Sequence, residues 1–453
     1  MEKIQKNQEY ELEIIDQGFE GEGIAKKDGY TIFIPQAIQG EIVKATILKV
    51  TPSYAIGKIK SILKPSPYRM EPDCAVYPRC GGCHLRHMDY NSTLALKEKI
   101  VWNCLQKTKV SIPALEPILG MGNPYYYRNK LQYPVGFDAH HNPVMGVYAK
   151  RSHVIIPHET CQIQNKINQL IAADTFAYFR KAGIEPYDEK QGNGELRHIV
   201  VRNGNVSQEV MLVLVLHQLK HDIGEEFIQY ITTKYPTIQT IVLNFNTKNT
   251  NVIYGEKNEV IYGDGYIRDI LGDYQFMISP LSFYQVNSVQ AEAMYQIAIE
   301  HAHVQPEDIV LDLYGGIGTI GIFVSRYVKQ VYGIEIIPSA VRDARQNAMW
   351  NQIHNIEFFC GDVAQILPQL LADEKKKPNV IFVDPPRKGL DEQTIQTIKQ
   401  VNPGKLVYIS CNPATLARDL KALEECYEVK FIQPVDLFPF TKHVEVVTCL
   451  ERK

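Results

Sequence analysis

The last 175 or so residues alternate short apolar runs with helical stretches, and this rhythm restricts them to one kind of architecture. Runs at 309–313, 330–334, 356–359, 379–383 and 405–410 are strand-sized, with helical periodicity between them. Strands joined through helices lie parallel, with the helices covering the faces of the sheet. Two more runs, EVKFIQ and HVEVVTCL, follow with only a short connection and form a hairpin. Residues 276–453 are therefore expected to fold as a seven-stranded, Rossmann-like α/β sheet with one strand reversed. Ligands bind such sheets at the carboxyl ends of their strands.

Three strand ends carry chemistry. VLDLYGGIGTIGIF contains GxGxxG at Gly316, Gly318 and Gly321. Glycines let the backbone turn sharply and approach a ligand. Glu335, closing the next strand, is placed to accept from ribose hydroxyls. Both features suit NAD and S-adenosylmethionine (SAM) alike. Asp384-Pro385-Pro386-Arg387 at the fourth strand separates the two. An Asp-Pro-Pro loop is rigid and aims its carbonyls and carboxylate at a planar ring, which a methyltransferase acting on nucleobases needs and a dehydrogenase does not. Five parallel units closed by a hairpin are likewise the arrangement of class I methyltransferases.

Cys411, in LVYISCNPATLARDL, ends the fifth strand where NPAT breaks it. Carbon 5 of uracil is scarcely nucleophilic in the neutral ring. Addition of a thiolate to carbon 6 makes the ring an enolate, and carbon 5 can then take a methyl group. A base must afterwards remove the carbon 5 proton. His443 and Glu445 stand two apart in HVEVVTCL and are expected to share a strand face. Glu445 is the expected base and His443 the runner-up.

The rest of the chain divides by pattern. Residues 1–62 hold short alternating runs, which suit a β-barrel of about five strands. KPSPYRMEPDC reads as a linker into a region at 63–275 that is mostly extended, with helices expected at 91–110 and 163–182. The helix at 91–110 is a candidate to pack on the C-terminal unit. The net charge is only −3, but residues 64–160 carry 12 basic and 7 acidic side chains with eight tyrosines, among them Tyr125, Tyr126 and Tyr127 ahead of Arg128 and Lys130. Basic residues interleaved with aromatics suit a surface that holds phosphates and stacks bases, although a tyrosine-rich core with a basic rim has the same pattern. No run approaches the roughly 18 apolar residues of a membrane span. The polar N-terminus does not read as an export signal, so a cytoplasmic protein with reduced thiols is expected.

Nine cysteines are present. Cys74, Cys80 and Cys83 flank Gly81-Gly82, and Cys161 lies downstream. Together they suit a four-thiolate metal site, for which zinc is the default chemistry. Cys104, Cys360, Cys426 and Cys449 are expected in the core.

In combination, VLDLYGGIGTIGIF, FVDPPRKGL, YISCNPATLARDL and DLFPFTKHVEVVTCL, preceded by SPLSFYQVN, resemble the RNA uracil-5-methyltransferases, and the N-terminal strands resemble the OB-like TRAM barrel that many of them use to bind RNA. The resemblance implies that Cys411 is the nucleophile and Glu445 the base, and that Gln285, Tyr314, Gly316, Gly318, Glu335 and Asp384 contact SAM or the target ring. Thr319 is a further cofactor contact on the same ground, although some relatives have Asn there. The resembled subgroup acts on 23S ribosomal RNA and uses the Cys74, Cys80, Cys83 and Cys161 spacing for a [4Fe–4S] cluster. Four ligands would close that cluster, which disfavours radical chemistry and suggests a staple for the central region. The expected substrate is a single-stranded loop or bulge with a flipped uridine, and no obligate protein partner or membrane is implied. Transfer RNA is the nearest alternative substrate. An NAD-linked iron–sulfur oxidoreductase and a non-catalytic ribosome assembly factor are further alternatives, disfavoured by DPPR with Cys411 and by Cys411 with Glu445.

Overall fold

The structure is a computed structural model that describes residues 3–158 and 160–453. Its N-terminal sheet has six strands, Glu9–Glu13, Asp16–Gln17, Gly23–Lys27, Tyr30–Ile34, Ile42–Val50 and Tyr54–Lys64, one more than expected because of the two-residue Asp16–Gln17. Alternation does the folding here. Tyr10 and Leu12 face inward with Ile32, Ile34, Val43, Ala45 and Ile47, while the residues between them face out.

A second sheet of seven strands spans Lys130–Phe137 to Lys257–Tyr262. Its pairs are antiparallel, as the extended pattern predicts, except that Val210–Leu216 and Ile238–Phe245 run parallel across helix Glu225–Lys234. Helix Lys166–Lys181 covers one face. The other face is not solvated, because Val200, Met211, Val213 and Val215 join the core of the C-terminal unit. That is why VMLVLVL is apolar at every position.

The C-terminal sheet comprises β1 (Ile309–Leu313), β2 (Gln330–Glu335), β3 (Ile356–Cys360), β4 (Val380–Val383), β5 (Lys405–Ser410), β6 (Tyr427–Val435) and β7 (Glu445–Arg452). Their order is β3-β2-β1-β4-β5-β7-β6, with only β7 antiparallel to both of its neighbours. Reversal of β7 has a functional consequence: its first residue lies beside the carboxyl end of β5.

Helix Tyr90–Thr108 precedes this unit by some 200 residues yet belongs to its core. Asp89 caps it by accepting from the Ser92 N–H at 2.9 Å, and Lys109 ends it in a left-handed conformation. Val101 and Leu105 pack with Leu311, Ile381, Tyr408 and Leu416. Each such side chain contributes about 1.5–3 kcal/mol when fully buried, so the helix is anchored on the C-terminal unit. Of the remaining cysteines, Cys449 is buried and Cys104 and Cys426 are half-buried, but Cys360 is exposed. It ends edge strand β3, whose outer side pairs with no strand among the described residues, so the expectation of a core position does not hold there.

Candidate active site

The turn after β1 is built to bring backbone close to a ligand. Tyr314, Gly316 and Gly318 all have positive φ (66°, 56° and 83°). A Cβ on Gly318 would lie 2.7 Å from the Phe358 ring, so only glycine fits there, whereas one on Gly316 would point into open space. Gly318 caps the short helix Thr319–Ser325, which Thr319 opens. Asp312, fully buried in β1, accepts from the Gly321 N–H at 2.9 Å through Oδ2, and burial pushes its carboxyl up to about 7. Glu335 ties the next strand to this loop, accepting from Gly316 N–H at 3.0 Å and Ile337 N–H at 2.8 Å. Beside it Ile336 and Ile337 are exposed by 59% and 53%. A cradle of open backbone, an acceptor pair at Glu335 and an exposed aliphatic wall suit an adenosyl group. The two isoleucines were not singled out from sequence, since exposure cannot be read from a strand end.

Four groups meet at the ends of β4, β5 and β7. Ser410 pairs with Val446, so Cys411 and Glu445 each sit one step beyond that pair. Asp384 and Arg387 lie close enough to perturb both. Burial, then the charges of Glu445 and Asp384, push the Cys411 thiol up to about 12. Glu445 is 5% exposed. Burial and then Asp384 push its carboxyl up to about 8, against the pull of Arg387 and Lys97. Asp384, half-buried, is raised to about 7 by burial and by Asp312. The thiol is therefore protonated at neutral pH, and two carboxyl groups titrate close to neutrality beside it. Perturbed groups of this kind, clustered at strand ends, make this the candidate reaction centre.

The loop after β4 is fastened to the helix after β5. Asn412 caps helix Pro413–Leu423 and donates from Nδ2 to the Arg387 carbonyl at 2.9 Å. Asp419, fully buried on the same helix, accepts from Leu390 N–H and from the Tyr408 hydroxyl, both at 2.8 Å. Gly389 has φ 74°, and a Cβ there would fall 2.5 Å from Asp419 Oδ2. DPPRKGL and CNPATLARDL are thus one rigid unit, so Asp384 and Cys411 are held relative to each other.

SPLSFYQVN forms the side of the site. Ser279 and Ser282 donate to Asp343, and Asn129 donates to the Gln285 carbonyl at 3.0 Å. The Gln285 side chain meets the hydroxyl of Tyr295, a buried residue that also feels Asp384, Asp312 and Glu445. Tyr295 sits in the apolar stripe of helix Ser288–Ala302, where a tyrosine looks like core, and was missed for that reason. His443 departs from expectation. β7 begins at Glu445, so His443 lies in the preceding loop and does not share a strand face with it. Its ring packs edge-on against His84 and Phe438, and burial lowers its pKa to about 4.

Cys74, Cys80, Cys83 and Cys161 line one cavity of about 190 Å³ with Tyr77, Arg86 and Tyr133. Burial pushes the Cys83 thiol up to about 12 and raises Cys80 and Cys161, and each also feels neighbouring thiols. Among the described residues, however, no group of three or more His, Cys, Asp or Glu side chains is arranged to hold a metal ion. The expected convergence of four thiols is present, and the expected metal site is not formed by their arrangement. No helix among the described residues is long and apolar enough to cross a membrane.

Residues 203–453 match the family model "tRNA (Uracil-5-)-methyltransferase", and residues 3–60 match the TRAM domain. An uncharacterized RNA methyltransferase of Halalkalibacterium halodurans is 42% identical over 452 residues, 99% of this chain and 98% of that protein. One of Clostridium acetobutylicum is 42% identical over 459 residues, 100% of this chain and 99% of that protein. Among solved structures, the Pyrococcus abyssi tRNA (uracil-54, C5)-methyltransferase in complex with S-adenosyl-L-homocysteine superposes with a TM-score of 0.78. It is 26% identical, and the match covers 97% of this chain and 100% of that one.

Proposed function

The chain belongs to the RNA uracil-5-methyltransferase family, and from that premise we propose that it methylates carbon 5 of a flipped uridine in 23S ribosomal RNA through Cys411 and Glu445. The observation that carries the mechanism is the pairing of a half-buried thiol with a buried carboxyl group one strand away. SAM supplies an electrophilic methyl group on a sulfonium. Gly316, Gly318, Thr319 and Glu335 would hold its adenosyl end, and Gln285, Tyr314 and Asp384 would face its methyl end or the target ring.

Cys411 gives up its proton to solvent or to a neighbouring carboxylate and bonds to carbon 6. The resulting enolate is nucleophilic at carbon 5, which takes the methyl group, leaving a saturated carbon that bears one proton. Glu445 removes that proton as a carboxylate, the electron pair re-forms the ring double bond, and the Cys411 sulfur leaves as thiolate. Asp384, half-protonated near neutrality, can donate to or accept from the polar edge of the ring. Its rigid loop makes either role directional.

Cys74, Cys80, Cys83 and Cys161 would hold a [4Fe–4S] cluster. Buried thiols sharing a cavity are unfavourable as thiolates without a cation. Their side chains as placed do not form a metal-holding group, so what supports the cluster is the shared cavity together with the family resemblance. The cluster would act as a structural staple and supply no step of methyl transfer.

The second reading is transfer RNA, favoured by the full-length likeness to a tRNA-modifying enzyme. Mapping 5-methyluridine in RNA from cells lacking the protein separates the two. Loss of the modification from 23S RNA supports the proposal, and loss from transfer RNA alone replaces it with the second reading.

A further inference from the structure

Glu445 sits at the end of a segment that the N-terminal half of the chain holds in place. Lys97, on helix Tyr90–Thr108, is fully buried. Its ammonium lies 2.5 Å from Asp436 Oδ1 and donates to the Phe438 carbonyl at 3.0 Å. The other Asp436 oxygen accepts from the Tyr90 hydroxyl at 2.8 Å. Further along, the Phe440 carbonyl accepts from the His84 and Leu85 N–H groups at 2.9 and 3.0 Å. Phe440 has φ 62°, a conformation that costs a non-glycine residue and persists only where its surroundings impose it.

A fully buried lysine is expensive to keep, and replacing such a pair by apolar side chains often leaves a protein equally stable. Stability therefore gives no sufficient account of Lys97. Location does, because Lys97 grips Asp436 and the Phe438 carbonyl on the segment that leads into Glu445. We propose that Lys97 is a positioning residue for the base: through Asp436 and the Phe438 carbonyl it fixes the turn that leads into Glu445. This rests on the assignment of Glu445 as the base. The ionisable groups around Glu445 are Asp384 and Arg387 from the loop after β4, Cys411 after β5, Tyr295 from helix Ser288–Ala302, and Lys97 itself. Of these, Arg387 and Lys97 favour the carboxylate.

The test is the fate of the methylated adduct at Cys411. Lys97→Met alone strands Asp436 as a buried charge and endangers the fold, so the informative variant is Lys97→Met/Asp436→Asn, which loses the pair without leaving either charge unmatched. Full-length protein would be incubated with methyl-labelled SAM and total RNA from cells lacking the protein. A second sample would receive RNA substituted with 5-fluorouridine, whose carbon 5 has no proton to lose. The double variant should bind SAM and form the fluorouridine adduct as the wild type does, which reports the fold. On natural RNA its labelled adduct should decay at least about tenfold more slowly, because the turn that carries Glu445 is no longer held in place. A merely structural role would lower the fraction of protein that forms the adduct and leave the decay rate of the adduct that does form unchanged. Wild-type decay in the double variant, while Glu445→Gln accumulates the adduct, would overturn the role of Lys97 alone. Absence of the labelled adduct in Glu445→Gln would overturn the base assignment on which it rests.

Discussion

Asp419 is the side chain on which the geometry of the active-site loops depends most. Its carboxylate is fully buried and accepts from the Leu390 N–H and the Tyr408 hydroxyl, both at 2.8 Å, and from Arg418 Nε at 2.7 Å. In Asp419→Ala the Leu390 amide and the Tyr408 hydroxyl are left buried without acceptors. Each costs about 1–3 kcal/mol in that state. Arg418 is half exposed and recovers its hydrogen bonds from water. The sum is a loss of about 2–6 kcal/mol, read by equilibrium urea unfolding followed by circular dichroism. Asp419→Asn keeps one acceptor and should lose less than half as much. Both variants also weaken the tie between Leu390 and helix Pro413–Leu423, leaving the Arg418 and Asn412 bonds to the loop, so Asp384 shifts relative to Cys411. A displacement near 1 Å of reacting groups costs about 100-fold in rate, and methyl transfer by folded Asp419→Asn should fall on that scale while SAM still binds. A destabilisation below 1 kcal/mol in Asp419→Ala, with turnover unchanged in Asp419→Asn, would refute the view that this carboxylate locks the two loops together.

In the proposed mechanism Glu445 acts as a carboxylate, and its carboxyl group is pushed up to about 8. The neutral form dominates below that value, so decay of preformed adduct should accelerate with rising pH, by roughly tenfold between pH 7 and 9. Single-turnover quenching reads this directly, and a rate that is flat or falls over that range contradicts the assignment. Protein purified without oxygen should be brown and hold about four irons per chain if Cys74, Cys80, Cys83 and Cys161 carry one cubane. Stoichiometric zinc would show the wrong metal. Cys83→Ser should destabilise the central region and weaken RNA binding, measured by filter retention, with SAM affinity nearly unchanged by calorimetry.

How much could be read from sequence differs between the parts of the site. The five parallel strands, the glycine turn and the loops at Asp384 and Cys411 are local in origin, since apolar runs, glycines and strand-breaking prolines announce them wherever the chain goes. Seven strands with β7 reversed also follow from two runs joined by a short connection. What remained hidden depends on distant partners. Lys97 falls beside the apolar face of an amphipathic helix, and nothing in its neighbours reveals Asp436, 339 residues away. Tyr295 reads as core until Gln285 is brought to its hydroxyl. His443 was misplaced because strand pairing stops at Glu445, opposite Val435, a boundary set by where β6 ends rather than by the local pattern. The four cysteines line one cavity, yet whether such thiols bind a metal, and which one, is not encoded in their spacing.

The central claim is that Cys411 attacks and Glu445 releases. Glu445→Gln keeps the shape of the side chain but cannot take the carbon 5 proton, so the reaction should stall after methyl transfer. Incubated with methyl-labelled SAM and RNA from cells lacking the protein, this variant should give a long-lived protein–RNA band on a denaturing gel that carries the label. Cys411→Ala and the Cys411→Ala/Glu445→Gln double variant should give none. Normal turnover by Glu445→Gln, or a labelled adduct that persists without Cys411, would contradict the account.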